Sequence, residues 1–284
     1  MEKQAFLFGA NQYERLTNLK YAHLDAEGVA SELKNKYQFH ENEVFLACGS
    51  NVPRTKIDFL NRLERSTPLD LLFVGFWGRS VWYNGECYLC LTGTRLEKIK
   101  STALSLKEFR DAIRKIPAKN VCLILDCSLC RPLAQSGGFQ QFLSFFKRRQ
   151  PNALTNDAPT LGTGAQNTIL KLFAPQISEQ SNRPSTQTIA ILNSCSDGER
   201  AYEWDEKSLS IFSHYLIEAL KWAEPSVTRI FSYVREQTQM SAAAQTKLQT
   251  PFHAIFGGTD ILLADQLVTL SPPTTPTDST TPTD

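Results

Sequence analysis

Short apolar runs alternate with amphipathic stretches along most of the chain. The runs are apolar on both faces, which is typical of strands buried in a parallel sheet. They are 5–10, 43–48, 70–77, 120–126, 188–194 and 252–256. Apolar positions at helical spacing predict helices at 22–37, 53–63, 208–222 and 227–240, and a capping box at Ser105 and Glu108 predicts one more. Strands that alternate with helices predict an α/β fold with a mostly parallel sheet and helices on both faces.

Three segments depart from this alternation. The stretch 82–91 predicts a hairpin that turns at Asn84-Gly85. From 131 to 187 the chain is rich in Gly, Pro, Asn, Thr and Gln, with one helical piece at 139–149. The Thr/Pro-rich tail 271–284 has no apolar residue, which favours a linker or a disordered end.

Composition and charge narrow the class of protein. Hydrophobic residues make up 42% of the chain and charged residues 21%, as in an ordinary globular protein with a substantial core. The formal net charge of +1 provides no global field that would attract nucleic acid or an anionic membrane. No apolar run approaches the roughly 20 residues that cross a bilayer, and the first residues lack a secretory signal. Seven cysteines, an odd number in and beside apolar runs, favour a reducing cytoplasm.

Five segments, in the right order, resemble the caspase-like peptidases, a family that includes metacaspases and their bacterial relatives. The third strand leads into Gly78-Arg79 where the family has Ser-Gly-His-Gly, and the Asn84-Gly85 hairpin matches a family hairpin. The fourth strand ends in Asp126-Cys127-Ser128, which is similar to the family's Asp-Ala-Cys or Asp-Ser-Cys. The other supporting segments are 7–13, 19–27 and 194–202.

The resemblance spans about residues 5 to 264 and implies the architecture. It implies a caspase-type three-layer α/β/α sandwich whose mostly parallel sheet has about six strands. It also implies one domain over 1–268, followed by the tail at 269–284. Within the domain, 1–130 would be large-subunit-like, 131–187 an irregular intersubunit-like linker, and 188–268 small-subunit-like.

The family's catalytic dyad is substituted at both positions. Its chemistry needs a thiolate nucleophile and a histidine that accepts and returns the proton. The histidine position matches Arg79, and the cysteine position matches Ser128. Arginine has no acceptor atom and stays protonated, so it cannot act as a general base. A serine hydroxyl without a base is a weak nucleophile. In addition, Ser80 replaces the glycine whose backbone helps bind the oxyanion. We therefore expect the pair to be inactive as a cysteine-peptidase dyad, with Cys127 as the candidate substitute nucleophile.

The resemblance also implies a pocket for a basic side chain. In metacaspase-like members that cleave after Arg or Lys, two acidic residues receive that side chain, and these positions match Asp25 and Asp126. The structural alternative for Asp25 is an acid at a helix N-terminus, favoured by the helix dipole, and for Asp126 it is a cap at a strand end. A further interpretation pairs Arg79 with Asp126, which would fill the site. Lys147, Arg148 and Arg149 form a candidate processing site, or else the basic last turn of a helix.

Taken together, the residues and the resemblance predict a catalytically inactive pseudopeptidase that acts as a binding or regulatory domain. We expect a protein or peptide partner, for which an active caspase-like relative is one candidate, and neither nucleic acid nor membrane. No cofactor is expected, and calcium dependence stays open. The alternative is an active Arg/Lys-specific endopeptidase that uses Cys127, Cys130 or Ser128 in a rearranged site.

Two Cys-x-x-Cys pairs, at 87–90 and 127–130, have the spacing of a four-thiolate zinc site or a redox motif. Neither pair has the Gly or Pro of a zinc knuckle, and the chain does not look thioredoxin-like. We therefore expect buried apolar thiols.

Overall fold

The protein is described here by a computed structural model that covers residues 1–127, 172–173, 187–258 and 260–264. The strands are β1 (Lys3–Gly9), β2 (Val44–Cys48), β3 (Leu69–Trp77), β4 (Ser80–Tyr83), β5 (Glu86–Leu89), β6 (Leu104–Ser105), β7 (Ala118–Asp126), β8 (Thr188–Asn193), β9 (Glu203–Trp204), β10 (Leu209–Ser210) and β11 (Phe252–Phe256). The helices are α1 (Ala22–Tyr37), α2 (Lys56–Leu63), α3 (Ile99–Thr102), α4 (Leu106–Lys115), α5 (Ile211–Lys221) and α6 (Val227–Ala244).

Six of these strands form one sheet in the order β11-β8-β7-β3-β1-β2. Five strands run parallel, and β11 pairs antiparallel with β8 at one edge. A mostly parallel sheet of six strands with helices on both faces is the predicted fold class, which is confirmed. Two smaller sheets accompany it, one formed by β4, β5 and β6 and the other by β9 and β10.

The two faces of the sheet bury separate hydrophobic clusters. On one face, α2, α4 and the small β4–β6 sheet cover a cluster in which the rings of Phe8 and Phe59 lie 4.1 Å apart. On the other face, α1, α5 and α6 cover a cluster that includes Trp77. Side chains alternate between the two clusters along each central strand because successive Cβ atoms point to opposite faces. Neighbouring residues at a strand end therefore lie in different surroundings.

Most predicted elements are confirmed, and the hairpin turn has its expected geometry. Asn84 has φ 48° and Gly85 has φ 82°, the left-handed values that a two-residue hairpin turn needs. The capping box is also confirmed, because the Ser105 hydroxyl accepts from the Glu108 N–H while the Glu108 carboxylate accepts from the Ser105 N–H.

Two helix starts differ from the prediction. Helix α2 begins at Lys56 rather than at Pro53, because the Thr55 hydroxyl accepts a hydrogen bond from the Asp58 N–H and caps the helix. Helix α5 begins at Ile211 rather than at Ser208, because Leu209 and Ser210 form β10 and Ser210 is the cap.

Several predicted features lie outside the described residues. They are Ser128, Cys130, the basic residues Lys147, Arg148 and Arg149, the helical piece at 139–149, and the tail at 269–284. In the part of the chain that the structure describes, no helix is both long and apolar enough to cross a membrane.

Candidate functional site

The two segments that the sequence nominated meet at the carboxyl edge of the sheet. Strands β3 and β7 are parallel neighbours, and Trp77 lies opposite Asp126 in their register. The backbone N–H of Gly78 donates to the Asp126 carbonyl at 3.1 Å. Residues that follow parallel strands meet at this edge, where open α/β sheets carry their ligands. The structure therefore brings Arg79 and the Asp126-Cys127 segment to the same edge.

Arg79 is tied to the loop that precedes α1. Its Nε atom donates to the Thr17 carbonyl at 2.5 Å, and its Nη2 atom donates to the Asn18 carbonyl at 3.3 Å. Its backbone N–H donates to the Tyr13 hydroxyl at 2.8 Å. The guanidinium thus binds backbone carbonyls of this loop, while serine hydroxyls bind the Asp126 carboxylate.

Asp25 and Asp126 come together around Ser210, which caps α5. The Ser210 N–H donates to Asp25 Oδ1 at 2.9 Å, and the Ser210 hydroxyl donates to Asp126 Oδ2 at 2.5 Å. Asp25 is 3% exposed and Asp126 is 5% exposed. Among the described residues, no group meets hydrogen-bond geometry with the buried Asp126 Oδ1 atom, but the buried Ser194 hydroxyl, also unpartnered by that geometry, lies close enough to lower the pKa of Asp126. One residue thus contacts both predicted acidic positions, and one carboxylate oxygen has no well-aligned donor among the described residues.

Ser213, one turn into α5, holds the other side of Asp126. Its hydroxyl donates to Asp126 Oδ2 at 3.0 Å and accepts from the Trp77 indole Nε1–H at 2.7 Å. The three residues form a buried polar chain within an otherwise apolar layer, where unpaired polar groups are costly. This chain fixes the Asp126 side chain on the α1 and α5 face of the sheet.

Both carboxyl groups have pKa values above their usual range. Burial raises the pKa of Asp25 well above its usual value; the neighbouring Asp126 charge raises it further, and the hydrogen bond from the Ser210 N–H opposes these effects. Burial also raises the pKa of Asp126, and hydrogen bonds from serine hydroxyls oppose that shift. The charge of Glu203 raises both pKa values. Such a site favours either protons or a cationic group.

Close backbone packing places Asp25 at this edge. A Cβ atom on Gly9, at the end of β1, would lie 2.7 Å from the Ala22 carbonyl oxygen, so glycine lets α1 start directly against the strand. A Cβ atom on Gly28 would lie 2.4 Å from a terminal carbon of Ile217, so glycine also lets α1 approach α5. Both contacts bring the first turn of α1 to the cap of α5.

Glu203 joins the start of α1 to the strand pair β9 and β10. Its carboxylate accepts hydrogen bonds from the Tyr21 N–H at 3.0 Å and from the Lys20 N–H. Lys20 Nζ also pairs with Asp205 at 2.7 Å. These contacts hold the loop before α1, which also binds Arg79, against one wall of the carboxyl site.

The thiol next to Asp126 lies on the opposite face. Cys127 belongs to the cluster beneath α2 and α4 and is 1% exposed. Burial raises the pKa of its thiol well above the usual value, the neighbouring Cys87 adds to this, and a hydrogen bond with Ser80 opposes it. Burial likewise raises the pKa of Cys90 to about 12. Within the described part of the chain, no group of three or more Cys, His, Asp or Glu residues is arranged to hold a metal ion.

Sequence reasoning nominated the two acids but missed Ser210, Ser213 and Glu203. Ser210 gives a signal in hindsight, because serine is a favoured cap and an apolar pair, Ile211-Phe212, follows it. Ser213 and Glu203 contact the site only through tertiary packing, and the sequence around them carries no motif for that role.

Comparison with known proteins concerns the fold. No protein-family model and no curated protein sequence matches the chain. Among solved structures, the chain is similar to protein GSU0716 from Geobacter sulfurreducens, with a TM-score of 0.56 and 13% identity over 92% of this chain and 95% of that chain. It also matches pro-sf-caspase-1 with a TM-score of 0.48 and 12% identity, over 93% of this chain and 91% of that chain.

Proposed function

We propose that this chain is a non-catalytic caspase-like domain that binds a protein or peptide partner through a basic side chain held by Asp25 and Asp126. The single observation that carries the proposal is the meeting of these two buried carboxyl groups around Ser210, with one Asp126 oxygen to which no described group donates in hydrogen-bond geometry. A guanidinium or ammonium group would supply both a well-aligned donor and the opposite charge.

Two observations favour binding without catalysis. Arg79 occupies the position that the resemblance assigns to the catalytic histidine, and a guanidinium cannot accept a proton from a nucleophile. The nearest described thiol, Cys127, is buried with a raised pKa, so little of it is thiolate at neutral pH. A peptide held at Asp126 would therefore meet neither a general base nor an activated thiol among these residues.

Burial of the acids sets the expected strength of binding. Because both carboxyl groups are almost fully covered, a partner must open the site before its side chain reaches them. The free energy of that opening is subtracted from the intrinsic affinity. We therefore expect modest affinity for short peptides and stronger binding to a partner that adds contacts outside the pocket. An active caspase-like relative with an exposed basic loop is one candidate.

Fluorescence anisotropy with two labelled peptides tests this function. The peptides are identical except for one central residue, which is arginine in one and the neutral isostere citrulline in the other. The arginine peptide should bind the full chain at least about tenfold more tightly, equivalent to about 1.4 kcal/mol. Asp126→Asn should remove that preference.

Asp58→Asn is the matched control, because it deletes an exposed aspartate on α2, in the opposite layer. It should leave both affinities unchanged. Equal binding of the two peptides by the wild-type chain, or no binding of either, would show the proposal to be wrong. Cleavage of the arginine peptide would favour the peptidase alternative.

A further inference from the structure

An aromatic groove, which no step of the proposed function uses, lies at the far end of α5. It has a volume of about 370 Å³ and is bordered by the last turn of α5, the connection to α6 and the first turns of α6. Trp222, Pro225, Arg229 and Tyr233 line it. Helix α5 has its N-terminal cap, Ser210, at the carboxyl site, so the groove and that site are at opposite ends of the same helix.

Two aromatic rings form the walls of the groove. The rings of Trp222 and Tyr233 have centroids 4.4 Å apart and planes at 64° to each other. Trp222 is 59% exposed, although tryptophan is usually highly buried. Inclined aromatic rings with a wet outer face are typical of surfaces that bind proline-rich segments in the polyproline II conformation.

The chain itself runs toward this groove after β11. The Val227 N–H donates to the Ile261 carbonyl at 3.0 Å, and the Leu263 N–H donates to the Pro225 carbonyl at 2.9 Å. Between these contacts, Ser226 and Leu262 form an antiparallel bridge. Because the pairing is antiparallel, the described chain runs from Leu263 to Ala264 in the direction of Trp222.

The sequence that follows contains the chemistry that suits such a groove. Residues 272–276 read Pro-Pro-Thr-Thr-Pro, which includes a Pro-x-x-Pro spacing. Proline favours the polyproline II conformation before binding, so a docked segment loses little conformational entropy. The tail carries only acidic charges, at Asp278 and Asp284. In the groove, Arg229 is paired with Glu224 at 3.2 Å, so the aromatic rings rather than a net charge would provide most of the contact.

Distance also permits the contact. Pro272 is eight Cα–Cα steps after Ala264, and an extended chain of that length spans up to roughly 26–29 Å. Trp222 is only three residues from Pro225, which already binds Leu263. A tether this short gives a local concentration on the order of millimolar, so even weak docking would be populated.

We propose that the Thr/Pro-rich segment 271–284 of this same chain docks on Trp222 and Tyr233 in the groove between α5 and α6. The proposal goes beyond the proposed function and does not depend on the carboxyl pair. The occupant is the chain's own segment rather than a second copy or another protein.

Fluorine NMR of the full chain labelled with 5-fluorotryptophan tests the docking. The sequence has four tryptophans, and Trp222→Phe identifies the Trp222 resonance. Replacement of Pro272, Pro273, Pro276 and Pro282 with alanine should shift that resonance and leave the buried Trp77 resonance unchanged. The matched control replaces Thr274, Thr275, Thr280 and Thr281 with serine, which keeps every proline and should shift nothing.

Addition of a synthetic 271–284 peptide gives a second readout. The peptide should move the Trp222 resonance of the four-proline variant back toward its wild-type position and have little effect on the wild-type chain. A Trp222 resonance that the proline replacements leave unmoved would overturn the proposal. A wild-type resonance that depends on protein concentration would also overturn it, because a second copy would then be the occupant.

Discussion

Replacement of Ser210 with alanine should destabilise the protein more than the loss of an ordinary helix cap. The Ser210 hydroxyl accepts the Ser213 N–H at 2.8 Å and donates to Asp126 Oδ2 at 2.5 Å, so one oxygen serves both the cap of α5 and the buried carboxyl. Ser210→Ala removes both hydrogen bonds and leaves Asp126 with the Ser213 and Ser194 hydroxyls.

The expected magnitude follows from the two roles. Loss of a serine cap costs about 1 kcal/mol. At a pH above the folded-state pKa of Asp126, loss of a buried hydrogen bond to its ionised carboxylate costs about 1.5–3 kcal/mol. Ser210→Ala should therefore lower the free energy of unfolding by roughly 2.5–4 kcal/mol. Thr55→Ala is the matched control. The Thr55 hydroxyl also caps a helix and donates to a carboxylate, Asp58 Oδ2, but on the exposed surface, so its loss should cost only about 1 kcal/mol.

Urea denaturation of a double-mutant cycle separates the two roles. In an Asp126→Asn background, Ser210→Ala still removes the helix cap. The other hydrogen bond that it removes, from the Ser210 hydroxyl to residue 126, is then to a neutral amide rather than to a carboxyl group. Its cost should fall by about 1 kcal/mol or more, which is a measurable coupling between contacting residues. The reasoning is refuted if Ser210→Ala costs no more than Thr55→Ala, or if the two changes at the site are additive.

Three further predictions concern the same edge of the sheet. Burial raises the pKa of Asp126 in the folded state above its unfolded value of about 3.8. The stability that this carboxyl contributes is therefore lost as pH rises from about 4 through the folded-state pKa. Asp126→Asn should gain stability relative to wild type over that range in urea denaturation, and a constant difference would contradict this. A basic side chain binds the ionised carboxyl groups, so the affinity for the arginine peptide should rise with pH over that range, and binding should release protons. Calorimetry measures both, and a pH-independent affinity would count against binding by the carboxyl pair. The combined change Arg79→His and Ser128→Cys should create weak cleavage of arginine peptides; the activity should be partial because Ser80 replaces the oxyanion-site glycine. No cleavage by a folded double variant would count against the motif assignment.

Local sequence rules predicted the fold well because the local and tertiary preferences agree. The central strands are apolar on both faces, which leaves few alternatives to a covered parallel sheet. The Ser105–Glu108 capping box and the Asn84-Gly85 turn are formed by residues close together in the chain, so they could be read directly. The start of α2 was missed by three residues because proline and threonine both suit a helix start there.

The candidate site could be predicted only in part. Asp25 and Asp126 were nominated because they match two acidic positions of the family that the chain resembles, but their common contact with Ser210 depends on how α5 packs. Cys127 follows Asp126 directly, yet strand alternation places its thiol on the opposite face in the cluster beneath α2 and α4. Sequence spacing thus indicated the edge of the sheet, whereas tertiary packing determined which side chains meet there.

Whether this chain cleaves peptides is measured by hydrolysis of fluorogenic peptides that end in Arg or Lys, with the purified full chain in the presence and absence of calcium. We expect a flat trace under both conditions, because Arg79 cannot serve as a base and the described thiol beside Asp126 is buried. Turnover that Asp126→Asn abolishes and Asp58→Asn preserves would contradict this expectation, and would identify the chain as an active peptidase of basic specificity.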